Sequence, residues 1–420
     1  MRRLLAIPNA RLYLGGQALS IFGDTALWLA AGIWVKTLTG SNALAGLTFF
    51  FFALPSLLSP LSGLLVDRVR RRPLLVVTNL CTGAVVLLLL LVHGRGDVWL
   101  VYTVMVAYGM AYGVLGSGQS ALLTVIVPDE LLGDANGLLR TVREGLRLVS
   151  PLVGAGLFVV LGGGAVAVLD AVTFVAAAIS LLLVKVDEPA PAPRARGERW
   201  LAGVTAGFRH ISSTAVLRQM TIACAAVLLV VGFAETAVFA LVAQGLQRPP
   251  SFVGVIVAVQ GVGAVVGGPT AAPVMRRIGE GWVSAAGMLA LACGGALWVA
   301  PSLPAVAGGS VLVGFSLPWL VVGAYTLVQR RTPAPLQGRV FSAFDTLVST
   351  PQTISIALGA LLISVVDYRV LLAILAGVVT MAGIYLATRP EQRREGGVRR
   401  RGAAGAVAGR APQVAASEPR

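Results

Sequence analysis

The chain has 420 residues, of which 56% are hydrophobic and only 12% are charged, and its formal net charge is +15. A soluble protein of this length needs far more charge to cover its surface, so the composition excludes an ordinary soluble protein and indicates a membrane protein. The arginines are scattered between apolar segments, which disfavours a nucleic-acid-binding patch as the origin of the positive charge.

Twelve apolar segments along the chain are long enough to cross a bilayer. A spanning helix needs about 20 predominantly apolar residues, and an isolated segment in lipid satisfies its backbone polar groups only as a helix. No small-residue cleavage site follows Arg2 and Arg3, so the first segment is expected to be retained. We therefore predict an all-α membrane protein. The predicted spans are 12–35, 43–66, 73–92, 98–126, 137–161, 165–185, 217–243, 251–275, 282–300, 304–329, 339–364 and 369–387.

The distribution of basic residues predicts the orientation of the chain. If the N-terminus lies in the cytoplasm, the opposite side holds only Lys36, Arg95, Arg248 and Arg369. Cytoplasmic segments carry an excess of Lys and Arg in membrane proteins. The sequence thus predicts a multi-pass protein of the bacterial inner membrane with both termini in the cytoplasm.

The two halves of the chain repeat each other at a constant offset. Gly63 matches Gly268, and Gly154 matches Gly359 at the same separation. Parallel duplication of a six-helix unit is a recurrent way to build an alternating-access transporter. We predict an N-terminal six-helix bundle, a cytoplasmic linker with an interfacial helix, a C-terminal six-helix bundle and a disordered basic tail, at 1–186, 187–216, 217–388 and 389–420 respectively.

The loop after the second predicted span carries an acid, Asp67, inside a basic run. Topology accounts for the arginines but gives no reason for the acid. The loop resembles the signature G-x-x-x-D-[RK]-x-G-[RK]-[RK] of the major facilitator superfamily, with Arg70 in place of the usual glycine. The resemblance implies two pseudo-symmetric bundles of six helices and a cytoplasmic gate that locks them together. The gate residues it implies are Gly63, Asp67, Arg68, Arg71 and Arg72.

The fifth predicted span contains Gly145, Ser150, Pro151 and Gly154. It resembles the helix-5 antiporter motif of the same superfamily, with Ser150 in place of the central glycine, and this resemblance implies export. The alternative is a proline kink with glycine packing, which is common in membrane helices. The stretch 128–137 is most similar to the subgroup that contains enterobactin and macrolide exporters.

Two acids lie in the middle of predicted spans, Asp24 in the first and Glu235 in the seventh, and each precedes Thr-Ala. An acid at mid-bilayer costs about 2.5–3.5 kcal/mol on insertion scales, so it usually faces an internal cavity. Low-dielectric surroundings favour the neutral form of a carboxyl, which suits reversible protonation. We predict that these acids carry protons or bind substrate. The alternative is a hydrogen bond to a neighbouring helix, and helix packing is also the expectation for Asp170 and Asp345.

Arginines at 140, 143 and 147 share one face of the fifth span. They are expected to reach the cytoplasmic interface or to join a gate network with Asp345 or Asp67. Resemblance and helical spacing together predict a central cavity lined by both acids and by aromatic and polar side chains. The further lining residues are Trp28, Tyr112, Gln119, Phe239, Trp319 and Tyr325.

No motif for nucleophilic, metal or nucleotide chemistry occurs in the sequence, so we expect no enzyme activity, no cofactor and no metal. The predicted function is secondary active export of a small amphipathic solute, such as a drug, macrolide or siderophore, by proton antiport. The expected partners are this solute, protons and the lipid bilayer, with no nucleic acid, and the expected state is a monomer. The alternatives are an importer or facilitator of the same fold, or a non-transporting membrane sensor or scaffold.

Overall fold

A computed structural model describes residues 2–58, 69–186, 200–333 and 336–392 of the chain. Throughout these ranges the regular structure is helical and contains no β-strand, which confirms the all-α prediction. Twelve long helices within them are numbered here in chain order. Their bounds are α1 Pro8–Thr39, α2 Asn42–Ala53, α3 Arg71–Leu87, α4 Val98–Ile126, α5 Asp129–Leu161, α6 Gly163–Leu183, α7 Ala215–Ala240, α8 Phe252–Ile278, α9 Glu280–Val299, α10 Leu303–Arg331, α11 Gln337–Leu362 and α12 Tyr368–Thr388.

Local sequence explains the sharp reversal between α1 and α2. Gly40 ends α1 in the left-handed conformation, with φ 70°, and its N–H donates to the Lys36 carbonyl at 2.8 Å. This conformation favours glycine because it has no Cβ. Ser41 then caps α2 by accepting a hydrogen bond from the N–H of Leu44 at 3.3 Å. The two helices therefore run antiparallel with almost no connecting loop.

Nine segments in the described part of the chain are helical, long enough and apolar enough to cross a membrane. The apolar stretches of α2 and of α5, at Asn42–Leu57 and Gly145–Leu161, are shorter. The second predicted span continues into 59–68, outside the described residues. Large apolar side chains such as Val160 and Leu161 lie exposed on the outer surface, as expected where lipid replaces water.

The helices pack in the same pattern in each half. In the first half α1 contacts α5 and α6, α3 contacts α4 and α6, and α2 contacts α4. In the second half α7 contacts α11 and α12, α9 contacts α10 and α12, and α8 contacts α10. Each half has its own buried hydrophobic cluster, and a third cluster combines residues from both. This arrangement is the one expected from an internal repeat.

The halves meet through α2, which contacts α7 and α11, and through α5, which contacts α8. The side of the molecule with the α1–α2 turn and the loop before α8 is called the distal side here, and the opposite side, where α1 begins and α12 ends, is the terminal side. A further helix, the linker helix at Trp200–Ser213, packs on α11 and α7. The ring of His210 lies 3.0 Å from the Arg331 carbonyl oxygen, which joins this helix to the end of α10. The predicted linker segment 187–199 and the tail beyond 392 lie outside the described residues.

Candidate functional site

Two cavities lined by described residues lie between the halves. The first has a volume of about 630 Å³ and is lined by α1, α2, α4, α7 and α11. The second has a volume of about 430 Å³ and is lined by helices of both halves, including α5 and α8 to α12. Both volumes lie in the range of sites that hold drug-sized molecules. Four residues line both cavities and therefore mark their junction: Trp28, Phe49, Glu235 and Gln352.

Glu235 is the acid of this junction. It lies toward the end of α7, which finishes at Ala240, and is partly exposed to the cavities. Arg147 on α5 lies close enough to attract it electrostatically, although it belongs to the other half of the chain. Arg143 and Arg147 both line the second cavity. Their sequence had suggested the membrane interface or the gate as their destination, but the structure places these two arginines beside the cavity.

Asp24 belongs to a different environment, among the helices of the N-terminal half. Tyr108 of α4 is buried, and its hydroxyl donates to Asp24 Oδ1 at 2.7 Å. The Ser20 hydroxyl lies close to Asp24, and Arg143 attracts Asp24 electrostatically. Asp24 is not among the residues lining the two cavities, whereas Thr25 beside it lines the second.

Asp170 of α6 completes this polar cluster. It is fully buried, with 0% of its surface exposed, and it interacts electrostatically with Asp24 and Tyr108. Gly23 allows the approach of α1 to α6, because a side chain there would collide with Asp170 and Thr173. The spacing of the acids in the sequence does not bring Asp24 and Asp170 together; the close contact at Gly23 does.

Aromatic and small residues close the halves against each other on the distal side. The rings of Phe49 and Phe239 stack across the interface with centroids 6.0 Å apart, and Trp28 packs on Phe49 at 4.5 Å. Gly46 of α2 lies directly against Thr236 of α7, with no room for a side chain. Small residues let membrane helices approach closely.

The helix-5 motif residues lie on this interface and within the first half. Pro151 lines the second cavity, and its backbone lies against Gly254 of α8. Gly154 packs on Ala26 of α1, whereas Gly145 has open space around it. Ser150 is buried, and its hydroxyl has no hydrogen-bond partner among the described residues.

The structure describes part of the predicted gate. Gly63, Asp67 and Arg68 lie outside the described residues. Arg71 begins α3. Arg72 donates to the carbonyls of Leu181 and Leu182, at 2.8 and 2.6 Å, and so ties the start of α3 to the end of α6.

The other predicted lining residues divide into two groups. Tyr112 lines the first cavity and Phe239 the second, together with Trp28 and Glu235. The remaining three make contacts away from the two cavities. The backbone carbonyl of Gln119 accepts from the Tyr13 hydroxyl at 2.8 Å, the Trp319 indole donates to the Thr270 hydroxyl at 3.0 Å, and the Tyr325 hydroxyl donates to Asp345 at 2.6 Å.

Sequence reasoning missed Gln352, although a signal for it exists. Gln352 precedes Gly359 by the same number of residues as Arg147 precedes Gly154, so the internal repeat matches Gln352 to Arg147. The two side chains line the second cavity from opposite halves. Phe49 was also missed, because it lies in a run of four phenylalanines that helical spacing alone does not resolve.

Two six-helix bundles with cavities at their interface define a membrane transport protein of the alternating-access class. The family model described as Major Facilitator Superfamily matches residues 13–247 and 226–416, and the chain belongs to this superfamily. It is therefore a multi-pass membrane transport protein and not an enzyme.

Curated relatives agree at the level of the superfamily. An uncharacterised MFS-type transporter of Mycobacterium tuberculosis is 28% identical over 374 residues, which cover 82% of each chain. Macrolide efflux protein A of Streptococcus pyogenes is 26% identical over 176 residues, or 41% of this chain and 44% of its own. The resemblance to the enterobactin and macrolide subgroup thus has weak support beside the superfamily assignment.

Solved structures share the fold at low sequence identity. A bacterial homologue of the iron transporter ferroportin in an inward-facing state superposes with a TM-score of 0.68 at 17% identity, covering 92% of this chain and 100% of its own. The POT family transporter PepTSo superposes with a TM-score of 0.70 at 11% identity, covering 91% and 97%. At these identities the likeness concerns the fold alone.

Proposed function

We propose that the chain exports a small amphipathic solute in exchange for protons. The observation that carries this proposal is the position of Glu235, an acid at the junction of two cavities, opposite Arg147 of the other half. A carboxyl at such a junction can be reached from a different side of the membrane in each state of an alternating-access cycle. It binds a proton from one side and releases it to the other.

The proposed cycle starts from the conformation described here, in which the distal side is closed by Phe49, Phe239 and Gly46. Solute enters from the terminal side and meets ionised Glu235, whose charge Arg147 stabilises. Opening of the distal side then releases the solute and gives Glu235 a proton. Return to the first conformation carries this proton to the terminal side, where it is lost.

The walls of the cavities favour an amphipathic solute. Trp28, Phe49 and Phe239 offer aromatic faces, while Glu235 and Gln352 provide a few polar groups at the junction. Sites for drug-sized molecules combine apolar walls with a small number of oriented polar groups. Drugs, macrolides and siderophores fit this description, and the partial similarity to macrolide efflux protein A makes a macrolide the first probe to use.

Transport by inverted membrane vesicles tests the proposed function. Vesicles that contain the chain and have an acidic lumen are expected to concentrate at least one of three probes: a radiolabelled macrolide, a cationic dye or an iron-free siderophore. A protonophore should abolish the accumulation. Equilibration without accumulation would identify a facilitator, and absence of flux for all three probes would favour the sensor or scaffold alternative.

The proposal also places both termini in the cytoplasm, so that the terminal side is the cytoplasmic side. A reporter fused after Arg389 is expected to be cytoplasmic, and one inserted in the 93–97 loop is expected to be external. Alkaline phosphatase and green fluorescent protein fusions at both positions measure this directly. The opposite pattern would reverse the proposed direction of the whole cycle.

Removal of the charge at Arg147 is expected to change the pH dependence of transport. Without this cation Glu235 holds its proton more tightly, so release on the terminal side needs a more alkaline solution. The pH optimum of transport by Arg147→Gln vesicles should move to a more alkaline pH than that of wild-type vesicles. Arg147→Lys retains the charge and should keep the wild-type optimum. Equal optima for wild type and Arg147→Gln would contradict a role for this pair.

A further inference from the structure

The proposed cycle does not use Asp170, which is the most deeply buried acid among the charged groups described above. It has 0% exposure and lies on α6 against Gly23 of α1. Its Oδ2 atom has no hydrogen-bond partner among the described residues. A fully buried polar atom without a partner is costly, so its presence needs a physical reason.

The charged and titratable groups around Asp170 come from four helices. Asp24 on α1 interacts with it electrostatically, and the Tyr108 hydroxyl on α4 lies close enough to interact with the carboxyls of both acids. Arg143 on α5 attracts Asp24. Arg72 on α3 is bonded to two carbonyls at the far end of α6. Thus no cation in the described part of the chain pairs with Asp170.

The two hydroxyl donors near Asp170 direct their shorter hydrogen bonds to atoms other than its carboxyl oxygens. Tyr108 has one hydroxyl proton and donates it to Asp24 at 2.7 Å. Thr173 directs its hydroxyl to the backbone carbonyl of Asp170 at 2.8 Å, and its distance to Asp170 Oδ1 is 3.4 Å. An ionised carboxylate buried without a counter-charge, with one long hydrogen bond to Oδ1 and none to Oδ2, is strongly unfavourable, whereas a neutral carboxyl brings its own donor.

We propose that Asp170 carries a proton in this conformation and shares it with Asp24 through Tyr108, so that the N-terminal half contains a two-carboxyl proton site. The transfer is a concerted shift of two protons. Tyr108 gives its hydroxyl proton to Asp24 Oδ1 and takes the proton of Asp170. One O–H bond forms on Asp24, the hydroxyl of Tyr108 is restored, and Asp170 becomes a carboxylate.

The C-terminal half lacks this site. At the offset that relates Gly154 to Gly359, Tyr108 matches Val313 and Asp170 matches Leu375. Both of these apolar residues line the second cavity. The fold therefore packs these helices without a polar cluster, and the cluster of the N-terminal half serves another purpose. The role of this site in transport rests on the proposed antiport, in which the site stores a proton close to the cavities.

Infrared spectroscopy of the purified full chain in liposomes tests the proton site without any solute. At neutral pH the wild type is expected to show the C=O stretch of a protonated carboxyl, and Asp170→Asn should lose one component of this band. Asp367→Asn, which changes a loop acid outside the cluster, should retain it. An unchanged band in folded Asp170→Asn would overturn the proposal.

A tyrosine pair keeps the test decisive if Asp170→Asn fails to fold. Tyr108→Phe removes the bridging hydroxyl and should shift the same component. Tyr102 lies on the same helix as Tyr108, and its hydroxyl donates to the Leu44 carbonyl of α2, so Tyr102→Phe should leave the component unshifted. An equal response to both variants contradicts the bridge. This infrared readout needs no transport, so a band with these properties supports the proton site even if the vesicle experiment fails. Conversely, proton-driven transport together with an unchanged band would contradict the proton site and leave the proposed function intact.

Discussion

Glu235→Gln is expected to abolish solute accumulation driven by a pH gradient, to the level of vesicles without the protein. Glutamine keeps the size and hydrogen-bonding capacity of the side chain but cannot bind and release a proton. Glu235 lies where the two cavities meet, and among the described acids it alone lines both of them. Solute counterflow, which needs no net proton movement, should be damaged less than gradient-driven transport.

Matched variants define the specificity of this effect. Asp24→Asn should also weaken gradient-driven transport, while its amide oxygen can still accept the hydrogen bond of Tyr108. Glu280→Gln is the control. Glu280 lies at the start of α9, pairs with Arg330 of α10 and lines neither cavity. Uptake of a radiolabelled probe with and without an imposed pH gradient measures all three. Loss of counterflow equal to the loss of accumulation in Glu235→Gln would indicate a binding defect and contradict proton coupling.

Gly46→Leu is expected to open the distal side and to stop the transport cycle. Gly46 lies against Thr236, so a leucine there cannot fit while the halves remain in contact. Overpacking of a close contact costs about 1–3 kcal/mol, and about 1.4 kcal/mol changes an equilibrium tenfold. The variant should therefore shift the population strongly toward the conformation with the distal side open.

Distances between spin labels measure this shift. Labels at Thr39 and Gln244, on the distal ends of the two halves, should move apart in Gly46→Leu, after replacement of the free cysteines Cys81, Cys224 and Cys293. The control is Gly15→Leu, because Gly15 has open space around it and tolerates a side chain. Identical distance distributions for Gly46→Leu and wild type would show that this contact does not hold the distal side closed.

The fold could be predicted from the sequence because a long apolar segment surrounded by lipid can adopt few backbone structures. Long apolar segments without internal charge form helices in any bilayer protein, and a repeated set of positions implies a repeated bundle. Helix ends were less accessible: α5 begins at Asp129, before the predicted start at 137, because a polar first turn extends outside the apolar stretch. Hydropathy registers only the part of a helix that lies in lipid.

The site was accessible only in part, since helical periodicity gives the face of a residue but not the neighbour that meets it. Trp28 and Glu235 line the cavities, as their positions in the first and seventh spans had predicted. Trp319 and Tyr325 instead bond to neighbouring helices of their own half. Asp24 turns toward α4 and α6 because Gly23 brings α1 against α6, a contact that no spacing in α1 reveals.

The most direct test of the central claim is transport by the double variant Asp24→Asn/Glu235→Gln in proteoliposomes with only a pH difference imposed. The wild type is expected to concentrate solute against its gradient, and the double variant, although folded and able to bind solute, is expected not to. If the double variant still concentrates solute under this pH difference, neither acid carries the coupling proton, and the roles of Asp24 and Glu235 reduce to solute attraction or helix packing.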